Sequence, residues 1–389
     1  MSRLYTDKII LTPGPTEIHW RVRQALSRKT TNPDIDRDFY YTYSDVVLKL
    51  KKLLGADRSS LYVLAGEAIM GLEIAISNIV KKGDKILVLS NGVYGEGFAE
   101  FVKAYGGVPV IVSKDWRESF SREDIKKALD EHSDVKVLTL VHCDTPSGIL
   151  NPLQDVILEA RRRGVLTIVD AVSTIGAMPI GVDTWGIDIL IGGSQKALGC
   201  PPGLTIITVS EYAWDAIREK NPEGYYMNLL RIRESFEKEK IFPYTMPESL
   251  IYALNEALDI LMFEEGLDNV YRRHLLSRKA CWNASMALGL EPYPLKIEYS
   301  SPTVTALLVP QGLSVDKIIE RAWRIYGVLF ASSWGKLRNR ILRIGHMGQQ
   351  ASRNHVLLGF ITLARVLEEL GWKEVKKEDV INVIESAFR

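Results

Sequence analysis

From about residue 60 onward, short continuous apolar runs alternate with stretches of helical period. "SLYVLA" (60–65), "KILVLS" (85–90), "VPVIV" (108–112), "VKVLTLVH" (135–142), "VLTIVD" (165–170), "IDILIG" (187–192) and "LTIITV" (204–209) read as strands. Their runs are unbroken rather than alternating, which marks strands covered on both faces, as in a mainly parallel sheet. Helical patterns lie between them: "IMGLEIAISNIV" (69–80), "YGEGFAEFVKAYG" closed by glycine, and "SREDIKKALDEH" (121–132). The last opens with Ser121 as N-cap and Asp124 three residues on. Strands alternating with helices imply βαβ units, whose ligands sit off the carboxyl ends of the strands.

Beyond residue 247 the pattern changes. "PESLIYALNEALDILMFEEG" and "LDNVYRRHLLSRKACWNASMALG" predict long helices leading out of the large sheet. After Pro292 a smaller α/β unit follows, with strands in "PTVTALLVP" and "ILRIGH" and helices in "SVDKIIERAWRIYG" and "SRNHVLLGFITLARVLEELG". The expected architecture is α/β: a mainly parallel seven-stranded sheet flanked by helices, plus a smaller C-terminal α/β domain. The expected boundaries are an N-terminal arm (1–17), a large domain (18–265) and a small domain (266–389).

Composition narrows the function. Formal net charge is +1, so no bulk electrostatic case exists for nucleic acid or an acidic membrane surface. No apolar run is long enough for a membrane span or a signal peptide. Three scattered cysteines, Cys143, Cys200 and Cys281, fit neither a disulfide framework nor a CxxC metal site, and suit a reducing, cytoplasmic setting with no metal. Walker A and GxGxxG patterns are absent; the glycines of "NGVYGEG" have the wrong order for a dinucleotide.

The strand ends carry the chemistry. Asp170 closes "VLTIVD", and Lys196 follows the next run among Gly192, Gly193 and Ser194 in "GGSQKALGCPPGL". The two side chains could form a plain ion pair, but a charged pair beside an apolar core is costly unless well matched. Alternatively a ligand lies between them. Pyridoxal phosphate needs a lysine amine for its aldehyde, a carboxylate for its ring nitrogen and an anion site for its phosphate. The helix start after "YVLAGEA" offers such a site through the amides of Glu67, Ala68 and Ile69. Small residues beside Lys196 would leave room for a ring.

On these and further motifs the chain resembles the alanine–glyoxylate and serine–pyruvate aminotransferases, class V enzymes of the fold-type I pyridoxal phosphate group. The motifs are "LTPGPTEI", "AGEAIMGLEIAISNIVKKGDKILVLSNGVYGE", "VHCDTPSGILNPL", "VDAVSTIGAMPIGVDTWGIDILIGGSQKALGCPPGL", "FPYTMPESLIYALNEAL", "EEGLDN" and "RIGHMGQ". The resemblance implies Lys196 as Schiff-base lysine and Asp170 as partner of the ring nitrogen. It further implies Tyr94 stacked on the ring, Thr145 near the phenolic oxygen, Gln195 at the phosphate and Arg343 on the substrate's α-carboxylate. Thr245 would reach the phosphate of a neighbouring subunit, hence a homodimer. The implied reaction is ping-pong transfer of an amino group from a small donor, alanine or serine, to glyoxylate or pyruvate. Lys196 would act as base and then acid.

The chain also departs from the family. Glu67-Ala68-Ile69 stands where Ser-Gly-His is frequent, and a carboxylate near a phosphate dianion is unfavourable unless Glu67 turns away. Phe242 replaces a frequent tyrosine, with Tyr244 nearby. Other readings are a class V aminoethylphosphonate transaminase, desulfurase or kynureninase-like hydrolase, a nucleotide-binding α/β protein, or a non-catalytic relative.

Overall fold

The computed structural model describes residues 8–372 and 376–389. Seven strands form one sheet, in the spatial order Ser60–Ala65, Leu204–Val209, Ile189–Gly193, Leu166–Asp170, Val137–Val141, Lys85–Ser90, Val108–Ser113. Only Leu204–Val209 runs against its neighbours; the remaining pairings are parallel. The interior strands 137–141, 166–170, 189–193 and 204–209 are buried along their whole length. That burial is why they read as unbroken apolar runs.

The crossover helices start on local signals. Ser121 and Asp124 make a reciprocal capping box at the head of Arg122–Glu131. Gly92 precedes Val93–Ala104 with no side chain to cap it, and the capping acceptor comes from another strand: Asp144 Oδ2 takes the Tyr94 amide at 2.8 Å. A β-carbon on Gly92 would lie 2.1 Å from Asp144 Cγ, so only glycine fits there.

The alternation continues upstream of residue 60. Arg37–Leu54 is an 18-residue amphipathic helix, opened by Asp36, whose side chain accepts from Asp38 and Phe39, and closed by Gly55 in the left-handed region. The long helix expected over 247–266 is an α-helix over Glu248–Asp259 with a π-turn over Ile260–Glu265, broken at Gly266. Leu267–Ala287 then leads away.

Two main hydrophobic cores result. One gathers residues between Val22 and Val270 around the seven-stranded sheet. The other gathers Leu11 and residues from Ala280 to Ala387. The second surrounds a three-stranded antiparallel sheet, Val304–Leu308, Ile341–Gly345 and Ala331–Ser332, covered by Leu267–Ala287, Val315–Tyr326, Arg353–Glu369 and Lys377–Phe388. The N-terminal segment joins this unit: Ile9–Ile10 pairs in parallel with Val328–Leu329. From there it runs across to the large sheet, where Thr16 binds the backbone of Gln195 and Lys196. No helix among the described residues is long and apolar enough to cross a membrane.

Candidate active site

The carboxyl ends of the parallel strands, together with Gly14 and Pro15, enclose a cleft of about 220 Å³. It brings together Lys196, Asp170, Tyr94, Thr145, Gln195, Glu67, Ala68 and Ile69 from five separate stretches of sequence. Arg343, on the strand Ile341–Gly345 of the three-stranded sheet, is not in this lining but reaches the backbone of Thr145, which is. Thr245 is outside it: the residue is exposed, with Oγ1 3.3 Å from Asp34 Oδ2.

Lys196 follows the Ile189–Gly193 strand. Its Nζ donates to the Pro13 carbonyl at 2.5 Å. Burial, and then the Arg343 guanidinium, lowers its pKa to about 8, so a substantial neutral fraction exists near neutrality. Gly14 crosses directly over it at φ +107°; a β-carbon there would meet Lys196 Cδ at 2.5 Å and Nζ at 2.6 Å. That close approach is the physical content of the "PGPT" motif.

Asp170 closes the central strand and is buried. Its Oδ1 accepts the Val172 amide at 2.9 Å. Burial raises its pKa to about 7, against the opposing pull of that amide and of Lys196. A cationic ring N–H against it would reverse the shift. Tyr94 is half-buried; burial and then Asp144 and Asp170 push its phenol up.

Arg343 is buried between two alanines in register, Ala306 and Ala331. Its Nε donates to Ser332 O at 2.7 Å and its Nη1 to Thr145 O at 3.4 Å. Burial brings it down to about 10. Among the described residues it makes no ion pair, although Tyr94 and Asp144 raise its pKa from a distance. A buried guanidinium held only by carbonyls has capacity left for a carboxylate.

The far end of the cleft corrects an expectation. The amides of Glu67, Ala68 and Ile69 are not all free: Glu67 caps its own helix, Ala68–Ile79, with Oε2 3.0 Å from the Ile69 amide. Gln195 Nε2 donates to the other carboxylate oxygen. Glu67 therefore turns into the site, because the helix start attracts any anion and its own side chain is the nearest. The neighbours of Lys196 also act differently from expectation. Gly192 makes room for Ile175 of the core, since a β-carbon would lie 2.2 Å from Ile175 Cδ1. Gly193 makes room for Gln195 and Ala68. Ser194 Oγ binds the Pro201 carbonyl at 2.5 Å, folding the Pro-Pro-Gly tail back so that Pro202 lines the cleft.

A family model described as "Aminotransferase class-V" matches residues 22–283. The chain belongs to the class V aminotransferases. It is 36% identical over 374 residues, 96% of either chain, to an uncharacterized aminotransferase of Methanocaldococcus jannaschii. A serine–glyoxylate aminotransferase of Methylorubrum extorquens is 32% identical and aligns with 87% of this chain and 86% of its own. The crystal structure of a pyridoxamine–pyruvate aminotransferase from Mesorhizobium loti superimposes with a TM-score of 0.94 at 30% identity, covering 99% of this chain and 98% of that one.

Class V aminotransferases are pyridoxal phosphate enzymes, and the ring half of the cleft fits that group. Lys196, Asp170 and Tyr94 supply an amine, a carboxylate and an aromatic face around one space. The phosphate half fits poorly, because a carboxylate already holds the helix start.

In this aminotransferase the residue that sequence reasoning passed over is Asp144. It is fully buried, and burial raises it to about 6. It ties Tyr94 to the turn over Asp144–Gly148, where Ser147 N and Oγ donate to Oδ1 at 3.1 and 2.9 Å. The signal was present as the Asp-x-x-Ser turn of "DTPSG", immediately before Thr145.

Proposed function

We propose that the protein is a transaminase moving the amino group of a small amino acid, alanine or serine, to a small 2-oxo acid, glyoxylate or pyruvate. The observation that carries this is the buried Arg343, which among the described residues has no carboxylate partner, beside a lysine with a depressed pKa. Lys196 and Asp170 act as the catalytic pair in this reading. Arg343 clamps the α-carboxylate shared by donor and acceptor and so fixes Cα near Lys196. When bound, the pyridine cofactor supplies an electron sink for the bond broken at Cα. Neutral Lys196 would take the Cα proton and deliver it to the pyridine's side-chain carbon, as base and then acid. Asp170 would hold the ring's N–H, and Tyr94, positioned by Asp144, would cover one ring face. The division into an arm (1–17), a large domain (18–265) and a small domain (266–389) places Lys196 and Arg343 on different units; residues 1–7 of that arm lie outside the described residues.

The reading includes a homodimer in which Thr245 reaches the partner's cleft. Supporting it, exposed Ile35, Tyr41 and Ile241 line the same surface groove as Asp34, the hydrogen-bond partner of Thr245. It also includes a cytoplasmic setting, supported by three unpaired cysteines. Those cysteines argue against a desulfurase: all are buried, and burial pushes the Cys143 thiol up to about 11. Phe242 is enclosed by Phe39, Tyr40, Tyr43 and Phe236, so it serves the core rather than the cleft. An activity grid of amino donors against oxo acids tests the proposal. Turnover confined to small donors with glyoxylate or pyruvate is expected, and absence of any amino transfer would sink it.

A further inference from the structure

We infer that the cleft accepts the pyridine without its phosphate, as pyridoxal or pyridoxamine, and exchanges it as a reactant, because Glu67 occupies the phosphate's place. The inference deepens the transaminase reading and rests on it for the reacting end of the cleft.

The turn that would cradle a phosphate already holds a carboxylate and is fixed in place. Glu67 Oε2 holds the Ile69 amide at 3.0 Å, and Oε1 accepts from Gln195 Nε2. Thr205 Oγ1 donates to the carbonyls of Gly66 and Glu67 at 3.1 and 2.9 Å, which pins the backbone of the turn. Gly193 lacks the β-carbon that would lie 2.6 Å from Gln195 Oε1, so Gln195 can pack against the strand and reach Glu67.

With its Nε2 committed to Glu67, Gln195 leaves Oε1 buried and without a partner. This end of the cleft thus presents acceptors: a carboxylate and an orphan amide oxygen. A hydroxymethyl group donates a hydrogen bond and suits them. A phosphate dianion only accepts, and would meet a negative charge at close range in a site of low dielectric. Among the described residues, Lys196 is the only charged base in the lining, and it sits at the reacting end. Thr245, the residue offered from a partner subunit, brings a hydroxyl and no charge.

The exchange balances without further reactants. The amine nitrogen of pyridoxamine passes to the carbonyl carbon of the 2-oxo acid. Water carries the oxygen to the pyridine's side-chain carbon, giving an amino acid and pyridoxal. With no phosphate anchor, nothing in the lining retains the pyridine between turnovers except contacts to its ring and the link to Lys196.

The test uses the purified full-length protein, dialysed free of bound pyridines, titrated by absorbance with pyridoxal and, separately, with pyridoxal 5'-phosphate. Wild type is expected to bind pyridoxal at least about tenfold more tightly. Glu67→Ser, which keeps a capping side chain and removes the charge, is expected to swing the ratio by roughly tenfold or more toward the phosphate form. Glu67→Gln, closer in shape, should move it the same way and guards against misfolding of the serine variant. Preference of the wild type for the phosphate form, or a ratio unmoved in both variants, would overturn the inference. The two readings fail separately. Pyridoxal preference without amino transfer to any oxo acid refutes the transaminase and leaves the Glu67 assignment. Amino transfer that requires the phosphate form refutes Glu67 and leaves the transaminase.

Discussion

The two ends of the cleft are built on opposite principles. At the reacting end, charges are kept in conflict with their surroundings. Lys196 is driven down to about 8, Asp170 up to about 7, and buried Arg343 is held, among the described residues, by carbonyls alone. At the far end, Glu67 is satisfied by the Ile69 amide and Gln195 before any ligand arrives. Unsatisfied groups mark where a ligand is expected to bring the missing charge. A satisfied carboxylate marks where one is not. The contrast teaches that a family position is read by the state of its hydrogen bonds, not by its place in the motif.

The largest effect should come from Lys196→Ala, which removes the proton carrier: amino transfer should fall by about ten-thousandfold in a steady-state assay, with the thermal unfolding midpoint kept or raised. Retained turnover would take Lys196 out of the conflict. Asp170→Asn should cost roughly a thousandfold in kcat while the ligand-free protein becomes more stable by a few kcal/mol at pH 8. The sign follows from linkage. A carboxyl raised above its unfolded value costs folding energy as pH climbs from about 4 through 7, and asparagine removes that cost. A less stable Asn variant would mean that Asp170 is not in conflict in the folded chain.

Arg343→Ala should lower kcat/KM about a hundredfold for α-carboxylate substrates, chiefly through KM, and leave simple amines unaffected. Equal losses for both classes would show a structural role instead. The smallest effect is expected from Asp144→Asn, which keeps the shape but weakens the anchor of Tyr94. About tenfold in kcat is expected, together with an altered absorbance of the bound pyridine. An unchanged spectrum would show that Tyr94 does not depend on it.

Much of the fold was legible because buried strands must be apolar throughout. The runs at 137–141, 166–170, 189–193 and 204–209 could hardly be anything else. The helices Leu153–Arg162, Glu211–Lys220 and Lys377–Phe388 were passed over; unlike Arg122–Glu131, none carries a reciprocal capping box at its start. Lys196 and Asp170 were legible by chemistry, sitting at strand ends. Glu67 was visible as a misfit, but its direction was not, because that depends on which donor reaches its carboxylate first. Asp144 went unread because its task is done 50 residues away in sequence, at the Tyr94 amide. The room at Gly192 was assigned to a ring, yet Ile175 fills it, a long-range contact that no local pattern encodes.

The central claim is that Lys196 is the amine that engages the pyridine aldehyde. Borohydride reduction of the protein with pyridoxal, followed by mass spectrometry of its peptides, tests it most directly. One reduced pyridoxyl group on Lys196 is expected, formed faster as pH rises through about 8 because the neutral amine becomes the major form. A label on any other lysine, or none at all with either pyridoxal or its phosphate, would contradict it.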